Sequence, residues 1–178
     1  MKVLAISGSV RRDSTNTALL RAMAARAPEG VTVELSDTLG ELPIFSPDRE
    51  GDRTPGIVED WCGRVRDAAG LVVSSPEYVR ALPGGLKNAI DWLVSRDEII
   101  AKPIALVHAS HRGDDMLESL RRVLGTVSSR FDGANFLRLP LMALGPEEIE
   151  RFLERSEQRA RVDAFWTAYV RFVAHGPD

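Results

Sequence analysis

The stretch that decides the fold is LVVSSPEYVRALPGGLKNAIDWL, Leu71 to Leu93. It begins with a short apolar run, turns at Pro76, and continues after Pro83 into a pattern with helical spacing. The apolar positions of that pattern are Leu86, Ala89, Ile90, Leu93 and Val94. Continuous apolarity, instead of alternation, indicates a strand that is covered on both faces, as in a parallel sheet. The stretch therefore predicts a strand, a loop and a helix of an α/β protein.

The same unit recurs on both sides of this stretch. Further apolar runs predict strands at Val3 to Ser7, Val31 to Leu35, Ile104 to Ala109 and Ala134 to Leu139. Amphipathic segments lie between them, a long connection runs from Thr38 to Thr54, and a helical tail follows from Pro146. This alternation predicts an α/β fold with a doubly wound sheet of five parallel strands and helices on both faces. We expect one domain over residues 1–178.

Composition excludes several classes of partner. The 178 residues carry 23 Lys and Arg against 26 Asp and Glu, a net charge of -3, which offers no electrostatic basis for binding nucleic acid. The single cysteine, Cys62, lies on an apolar helix stripe and predicts a buried, inert thiol. The three histidines show no metal-ligand spacing. No apolar run approaches the ~20 residues that cross a membrane. We expect a cytoplasmic protein without nucleic-acid, membrane or metal partners.

The loop after the first predicted strand, GSVRRDSTN at Gly8 to Asn16, is rich in small polar side chains. It offers hydroxyl, amide and guanidinium groups at Ser9, Arg11, Arg12, Ser14, Thr15 and Asn16. The following helix points unpaired N–H groups and its positive dipole end into the same loop. This combination suits a phosphate monoester. The alternative is that Ser14 or Asp13 caps the helix and the arginines are solvated.

A second polar loop follows the third predicted strand. Pro76, Glu77 and Tyr78 lie at the carboxyl edge, where open α/β sheets bind ligands. An aromatic side chain beside a phosphate-binding loop can hold a flat heteroaromatic ring. The alternative is a proline-rich turn in which Tyr78 packs against the core. Because the two loops occur at matching strand ends, the pair favours ligand binding.

With these two motifs the chain resembles the NADPH-dependent FMN reductases of flavodoxin-like fold, a family that includes quinone, azo-dye and chromate reductases. The family pattern is GSxRxxSxN after strand one and PEYN-x-S-x-PG-x-LKNAIDW after strand three. Here the two segments read GSVRRDSTN and PEYVRALPGGLKNAIDW. The likeness extends over essentially the whole chain and includes LPIFSPD at Leu42 to Asp48. The resemblance implies FMN as cofactor and NADPH, or NADH, as co-substrate.

The resemblance also assigns residues to the cofactor. The FMN phosphate would be held by Ser9, Arg11, Ser14, Thr15 and Asn16. The isoalloxazine ring would lie against Pro76, Glu77, Tyr78 and Val79, and its other edge would be closed by the loop Ala109 to Gly113, which contains Ser110. Val79 stands where the family has asparagine, so we expect a missing side-chain hydrogen bond and weaker FMN binding. His111, in the loop Ala109 to Gly113, is expected to be solvated.

The implied activity is that of an oxidoreductase that passes hydride from NAD(P)H through FMN to a small electrophilic acceptor. Quinones, azo compounds, metal oxyanions and free flavin all qualify. The cofactor carries the redox chemistry, so no side chain is assigned as catalytic. The candidates for contact with the 2′-phosphate of NADPH are Arg49, Arg53, Arg80 and Arg112.

Assembly and alternative functions complete these expectations. Family members are dimers or tetramers, so the resemblance implies a homodimer or homotetramer, with the aromatic-rich tail and the off-stripe Trp92 as candidate contacts. One alternative is a flavodoxin-type electron carrier, but such carriers are usually strongly acidic and the net charge here is -3. The other alternative is a flavin-free binding domain on the same scaffold.

Overall fold

The computed structural model describes residues 1–11 and 13–176, so Arg12 of the first polar loop lies outside the described residues. Five strands form one parallel sheet in the order β2-β1-β3-β4-β5. Their bounds are β1 (Lys2–Ser7), β2 (Thr32–Ser36), β3 (Gly70–Ser74), β4 (Ile104–His108) and β5 (Phe131–Arg138). The strand order reverses direction between β1 and β3, which is the switch point of a flavodoxin-like sheet. The predicted fold class is confirmed.

In the described part of the chain, six α-helices connect and follow the strands. They are α1 (Thr15–Ala24), α2 (Gly56–Asp67), α3 (Gly84–Asp91), α4 (Asp114–Val127), α5 (Pro146–Glu154) and α6 (Ser156–Ala174). The helical tail is thus two helices, because Arg155 between them has an extended backbone with φ -60° and ψ 136°. The long connection contains two short 3-10 turns, Pro47–Arg49 and Gly51–Arg53. Within the described residues, no helix combines the length and apolar character needed to cross a bilayer.

The two faces of the sheet carry separate apolar cores. Along β1, Leu4 and Ile6 point to the face that is covered by α2, α3 and α4. Val3 and Ala5 point to the opposite face, which α1, α5 and α6 cover. Every residue of β3 and β4 is buried. This is the reason for their continuous apolar sequence, because neither face of these strands meets water.

Trp92 is buried, with 1% of its surface exposed, which corrects the expectation that it is an exposed or subunit-contact residue. Its Nε1 donates to the carbonyl of Pro43 at 2.7 Å, and its ring meets Phe45 edge-on. One turn earlier, Asn88 Oδ1 accepts from the Phe45 N–H at 2.8 Å and its Nδ2 donates to the Pro43 carbonyl at 2.9 Å. The end of α3 therefore holds the long connection against the sheet.

The aromatic residues of the tail also pack within the chain. Phe165, Trp166 and Tyr169 are each at most 3% exposed. Trp166 Nε1 donates to the Met23 carbonyl at 3.1 Å, and the Tyr169 hydroxyl donates to the Leu71 carbonyl at 2.9 Å. These residues join α6 to α1 and to the sheet, so they are not available as the predicted subunit contact.

Cys62 behaves as predicted. It is a free thiol with no exposed surface, on the side of α2 that faces the core. Burial raises its pKa to about 11, so the thiol stays protonated at neutral pH. A protonated, inaccessible thiol cannot act as a nucleophile.

Candidate functional site

A cavity of about 410 Å³ opens at the carboxyl edge of the sheet, beside the switch point between β1 and β3. Its volume lies in the range of small-molecule sites, which is roughly 300–1,000 Å³. The walls come from the loops that follow β1, β3 and β4, together with Met142 after β5. The topology therefore brings together the two motif loops that sequence analysis singled out.

The cavity is lined by all the predicted cofactor residues except Val79. These lining residues are Ser9, Arg11, Ser14, Thr15, Asn16, Pro76, Glu77, Tyr78 and Ser110. Val79 is 99% exposed and does not line the cavity. His111 is exposed and lies outside the lining as well, which agrees with a solvated loop histidine.

Sequence reasoning missed three residues of the lining, namely Ser75, His108 and Met142. Ser75 directly follows β3 and His108 is the last residue of β4. The rule that ligands bind at the carboxyl ends of strands was therefore a usable signal for both. Met142 follows β5 after Pro140 and carries no comparable signal. Its place in the cavity depends on how the chain turns back after the edge strand.

The β1–α1 loop begins with a close approach between two strand ends. The Gly8 N–H donates to the Ser74 carbonyl at 2.7 Å, and a Cβ at Gly8 would lie 2.6 Å from Ser75 Oγ. A larger residue at this position would force the side chains of Ser75 and Leu86 to shift. Asn16 at the start of α1 adds a second link, because its Oδ1 accepts from Ser74 Oγ at 2.8 Å. The loop is thereby fixed to the neighbouring strand.

The start of α1 has the features of an anion site. Ser14 occupies the N-cap position and is 3% exposed, yet its side chain makes no capping hydrogen bond. The first turn of α1 contains no acidic residue that would neutralise the positive end of the helix dipole. The alternative that Ser14 only caps the helix does not account for this geometry. A phosphate in the cavity could accept hydrogen bonds from the Ser14 hydroxyl and from the N–H groups of the first turn of α1.

Arg11 adds positive charge at the same end of the cavity. Its guanidinium is exposed, and Nη2 donates to the Asp13 carbonyl at 2.7 Å. The guanidinium therefore keeps further N–H donors for a ligand, since it carries five in all. Arg11 lines the cavity in the structure, and its contact with a phosphate stays a prediction.

The β3–α3 loop contains a tight turn with an unusual backbone. Tyr78 and Ala81 exchange two backbone hydrogen bonds of 3.0 Å, and the residues between them, Val79 and Arg80, have φ of 52° and 60°. Positive φ at both central positions is the feature of a type I′ turn, which favours asparagine and glycine. Val79 is the residue where the family has asparagine. The structure thus gives this position a backbone role in the turn.

Two side chains link the β3–α3 loop to the start of α4. Glu77 Oε2 accepts from the Met116 N–H at 3.1 Å, so Glu77 caps α4 from another loop. Arg80 forms an ion pair with Asp115, and this contact raises the pKa of the guanidinium. The carboxylate of Glu77 is therefore engaged with the protein backbone while its side chain lines the cavity.

The strand order, the anion-suited start of α1 and the aromatic Tyr78 at one switch-point cavity define a flavodoxin-like α/β binding protein. The sequence model of one family, "NADPH-dependent FMN reductase", matches residues 1–135. The chain belongs to this family.

Characterised relatives are similar over part of their length. The chain is 40% identical over 92 residues to "2-hydroxy-1,4-benzoquinone reductase" of a Burkholderia species, covering 52% of this chain and 49% of the relative. It is 34% identical over 116 residues to "Quinone reductase" of Escherichia coli K12, covering 64% and 61%. It is 38% identical over 112 residues to an "NAD(P)H-dependent FMN reductase" of Pseudomonas aeruginosa, covering 62% and 60%. The chain thus matches about half to three fifths of these relatives.

Solved structures share the fold. The flavoenzyme NAD(P)H:(acceptor) oxidoreductase FerB from Paracoccus denitrificans has a TM-score of 0.76 at 24% identity, with 99% of each chain covered. RosB, solved with a bound riboflavin-phosphate intermediate, has a TM-score of 0.71 at 15% identity, covering 98% of this chain and 79% of that chain. At these identities the likeness shows the fold alone.

Proposed function

We propose that this protein is an FMN-dependent NAD(P)H oxidoreductase that reduces a small electrophilic acceptor. The observation that carries the proposal is the Ser14 hydroxyl at the acid-free start of α1, which makes no capping hydrogen bond within the described residues, in a cavity that Tyr78 also lines. One end of this cavity suits a phosphate and the other an aromatic ring. Family membership and the reductase names of the relatives support the same activity.

The described residues fit FMN. Ser9, Arg11, Ser14, Thr15 and Asn16 would hold its phosphate, and Pro76, Glu77, Tyr78 and Ser110 would line its ring. When bound, FMN supplies the hydride and electron transfer. The residues of the chain orient it and limit the access of water. Val79 would contribute through the backbone turn that presents Tyr78.

A quinone is the acceptor that we favour, because two of the relatives are named for quinone reduction. Azo compounds, metal oxyanions and free flavin are the other candidates. For the nicotinamide, Arg112 is the one of the four candidate arginines that lines the cavity, whereas Arg80 is paired with Asp115. Arg49 and Arg53 lie in the two 3-10 turns of the long connection.

We also propose that residues 1–178 work as one domain, in a cytoplasmic homodimer or homotetramer. The packing of α6 against the sheet supports one domain. Four exposed apolar residues support assembly, since such surface marks interaction sites. Tyr78 and Met142 line the cavity, and Val10 and Val79 neighbour lining residues in sequence. The single free thiol suits a reducing compartment.

The test is to purify the protein, record its visible spectrum, and titrate the flavin-free form with FMN. A yellow protein that consumes NADPH or NADH only when a quinone is added, without any partner protein, agrees with the proposal. Flavin binding without such turnover favours the electron carrier instead. A protein that binds no flavin is the binding domain. Rates with NADPH and with NADH then decide between the two nucleotides.

A further inference from the structure

The loop after β4 passes directly over a buried histidine. Gly113 has a φ of 97°, and a Cβ there would lie 3.0 Å from His108 Nε2 and 3.6 Å from the Cβ of Glu77. Position 113 favours glycine for two reasons, namely the positive φ of its backbone and the short distance to the imidazole. The loop of residues 109–113 and the imidazole are thus in close contact.

His108 is the last residue of β4, is 1% exposed, and lines the cavity. Its Nε2 lies 2.6 Å from the Arg112 carbonyl oxygen. Because a carbonyl oxygen only accepts, Nε2 carries the hydrogen and donates it. Nδ1 is buried and has no hydrogen-bond partner among the described residues. The ring is therefore tied to the loop through one nitrogen.

The charge of this imidazole follows from its surroundings. Burial is the largest influence and lowers the pKa of His108. The guanidinium of Arg138 on β5 lowers it further, while the Arg112 and Ser75 backbone and Asp114 at the start of α4 act in the opposite direction. The ring is neutral at pH 7. Nδ1 then bears a lone pair, and no buried donor is left without an acceptor.

We propose that His108 is a positioning residue for the cofactor cavity, which holds the loop of residues 109–113 in place by its bond to the Arg112 carbonyl. This loop contributes Ala109, Ser110, Arg112 and Gly113 to the cavity wall. Because FMN is taken as the occupant of the cavity, this role of His108 rests on the proposed function. The same loop is also held by Arg138, whose Nε donates to the Ser110 carbonyl at 2.8 Å.

Protonation of His108 would place a positive charge in a buried position close to Arg138, and burial is the largest influence against it. The unfolded chain, with an ordinary histidine pKa near ~6.5, binds this proton more readily than the folded chain does. The contribution of His108 to stability is complete above that pH. It decreases as the pH falls from there toward the lowered pKa of the folded state.

The first test compares three variants. His108→Leu removes the donor, His108→Gln places an amide N–H at about the position of Nε2, and His111→Gln is the control in the same loop. In the flavin-free proteins, we expect His108→Leu to speed amide hydrogen exchange in residues 109–117, with His108→Gln and His111→Gln close to wild type. FMN should bind about tenfold more weakly to His108→Leu and within about threefold of wild type to the other two.

Exchange and affinity in His108→Leu equal to wild type would overturn the positioning role, and so would a His108→Gln variant as impaired as His108→Leu. The exchange measurement needs no flavin. If exchange changes as expected but wild type binds no FMN, the positioning role stands and the proposed function fails.

A second test needs no variant and so does not depend on how His108→Leu folds. The ¹⁵N chemical shifts of the His108 ring report its tautomer and its charge. We expect the neutral form with hydrogen on Nε2 at pH 7, and a titration midpoint below the ordinary histidine value. A ring that is charged at pH 7, or that carries its hydrogen on Nδ1, would contradict the proposed bond.

Discussion

At the residue scale, Arg11 distinguishes a phosphate site from a solvated loop. A charge-assisted bond to phosphate contributes about 1.5–3 kcal/mol, so we expect Arg11→Ala to weaken FMN binding about tenfold to a hundredfold. Riboflavin has the same ring without the phosphate, so its affinity should change little. Titrations of both flavins against wild type and variant measure the difference.

The control for Arg11 is Arg159→Ala, because Arg159 is an exposed arginine on α6 that does not line the cavity. It should leave both affinities unchanged. Equal losses for FMN and riboflavin in Arg11→Ala would remove Arg11 from the phosphate site. A lower melting temperature together with both losses would indicate a folding defect.

Val79 is the residue where sequence and structure assign different roles. From the sequence we expect that asparagine would restore a hydrogen bond near the flavin. In the structure Val79 is 99% exposed with φ 52°, a conformation that costs an L-residue roughly 1–2 kcal/mol and that asparagine tolerates. We therefore expect Val79→Asn to stabilise the protein by about 1 kcal/mol, or ~2–4 °C in melting temperature.

Chemical denaturation of the flavin-free protein measures this gain. Val94→Asn is the matched control, because Val94 is also exposed and does not share the positive φ. A Val79→Asn variant that is no more stable than Val94→Asn would show that the turn is unstrained. An FMN affinity that rises without any gain in stability would favour the lost hydrogen bond instead.

At the scale of elements, two residues of the segment LKNAIDW stabilise the fold and do not line the cavity. In LKNAIDW, Asn88 and Trp92 bind the backbone at Pro43 and Phe45, so α3 holds the long connection. Asn88→Ala leaves the half-buried Phe45 N–H without its acceptor. We expect a loss of about 2–3 kcal/mol in the free energy of unfolding and faster proteolysis within residues 38–54.

Two further variants separate the two hydrogen bonds of Asn88 and control for the loss of an asparagine side chain elsewhere. Asn88→Asp keeps an acceptor for Phe45 and loses the donor to Pro43, so it should fall between wild type and Asn88→Ala. Asn135→Ala loses a different side-chain hydrogen bond, the one from its Nδ2 to the Phe165 carbonyl. It should not make residues 38–54 more accessible to the protease. Unchanged cleavage in Asn88→Ala would mean that Trp92 and the apolar contacts hold the connection by themselves.

At the scale of the whole molecule, the assembly prediction has a different structural basis from the one that the sequence indicated. The tail aromatics and Trp92 are buried within the chain, and we propose four of the exposed apolar residues as contacts in their place, namely Val10, Tyr78, Val79 and Met142. We expect light scattering at micromolar concentration to show a dimer or tetramer, and Val10→Glu to shift it toward monomer. A wild-type protein that is only monomeric would contradict this.

The sequence by itself determined the sheet, its burial on both faces and the two loops that meet at the cavity. The apolarity of a strand is a local signal, and the rule that ligands bind at the carboxyl edge depends only on topology. Both can therefore be read from the sequence. The tertiary structure decided what single side chains do. Trp92 is internal, Glu77 caps α4, Val79 faces solvent in a strained turn, and His108 reaches the Arg112 carbonyl. These roles depend on contacts between segments far apart in the chain, and the physical reason is that spacing in sequence does not specify such contacts.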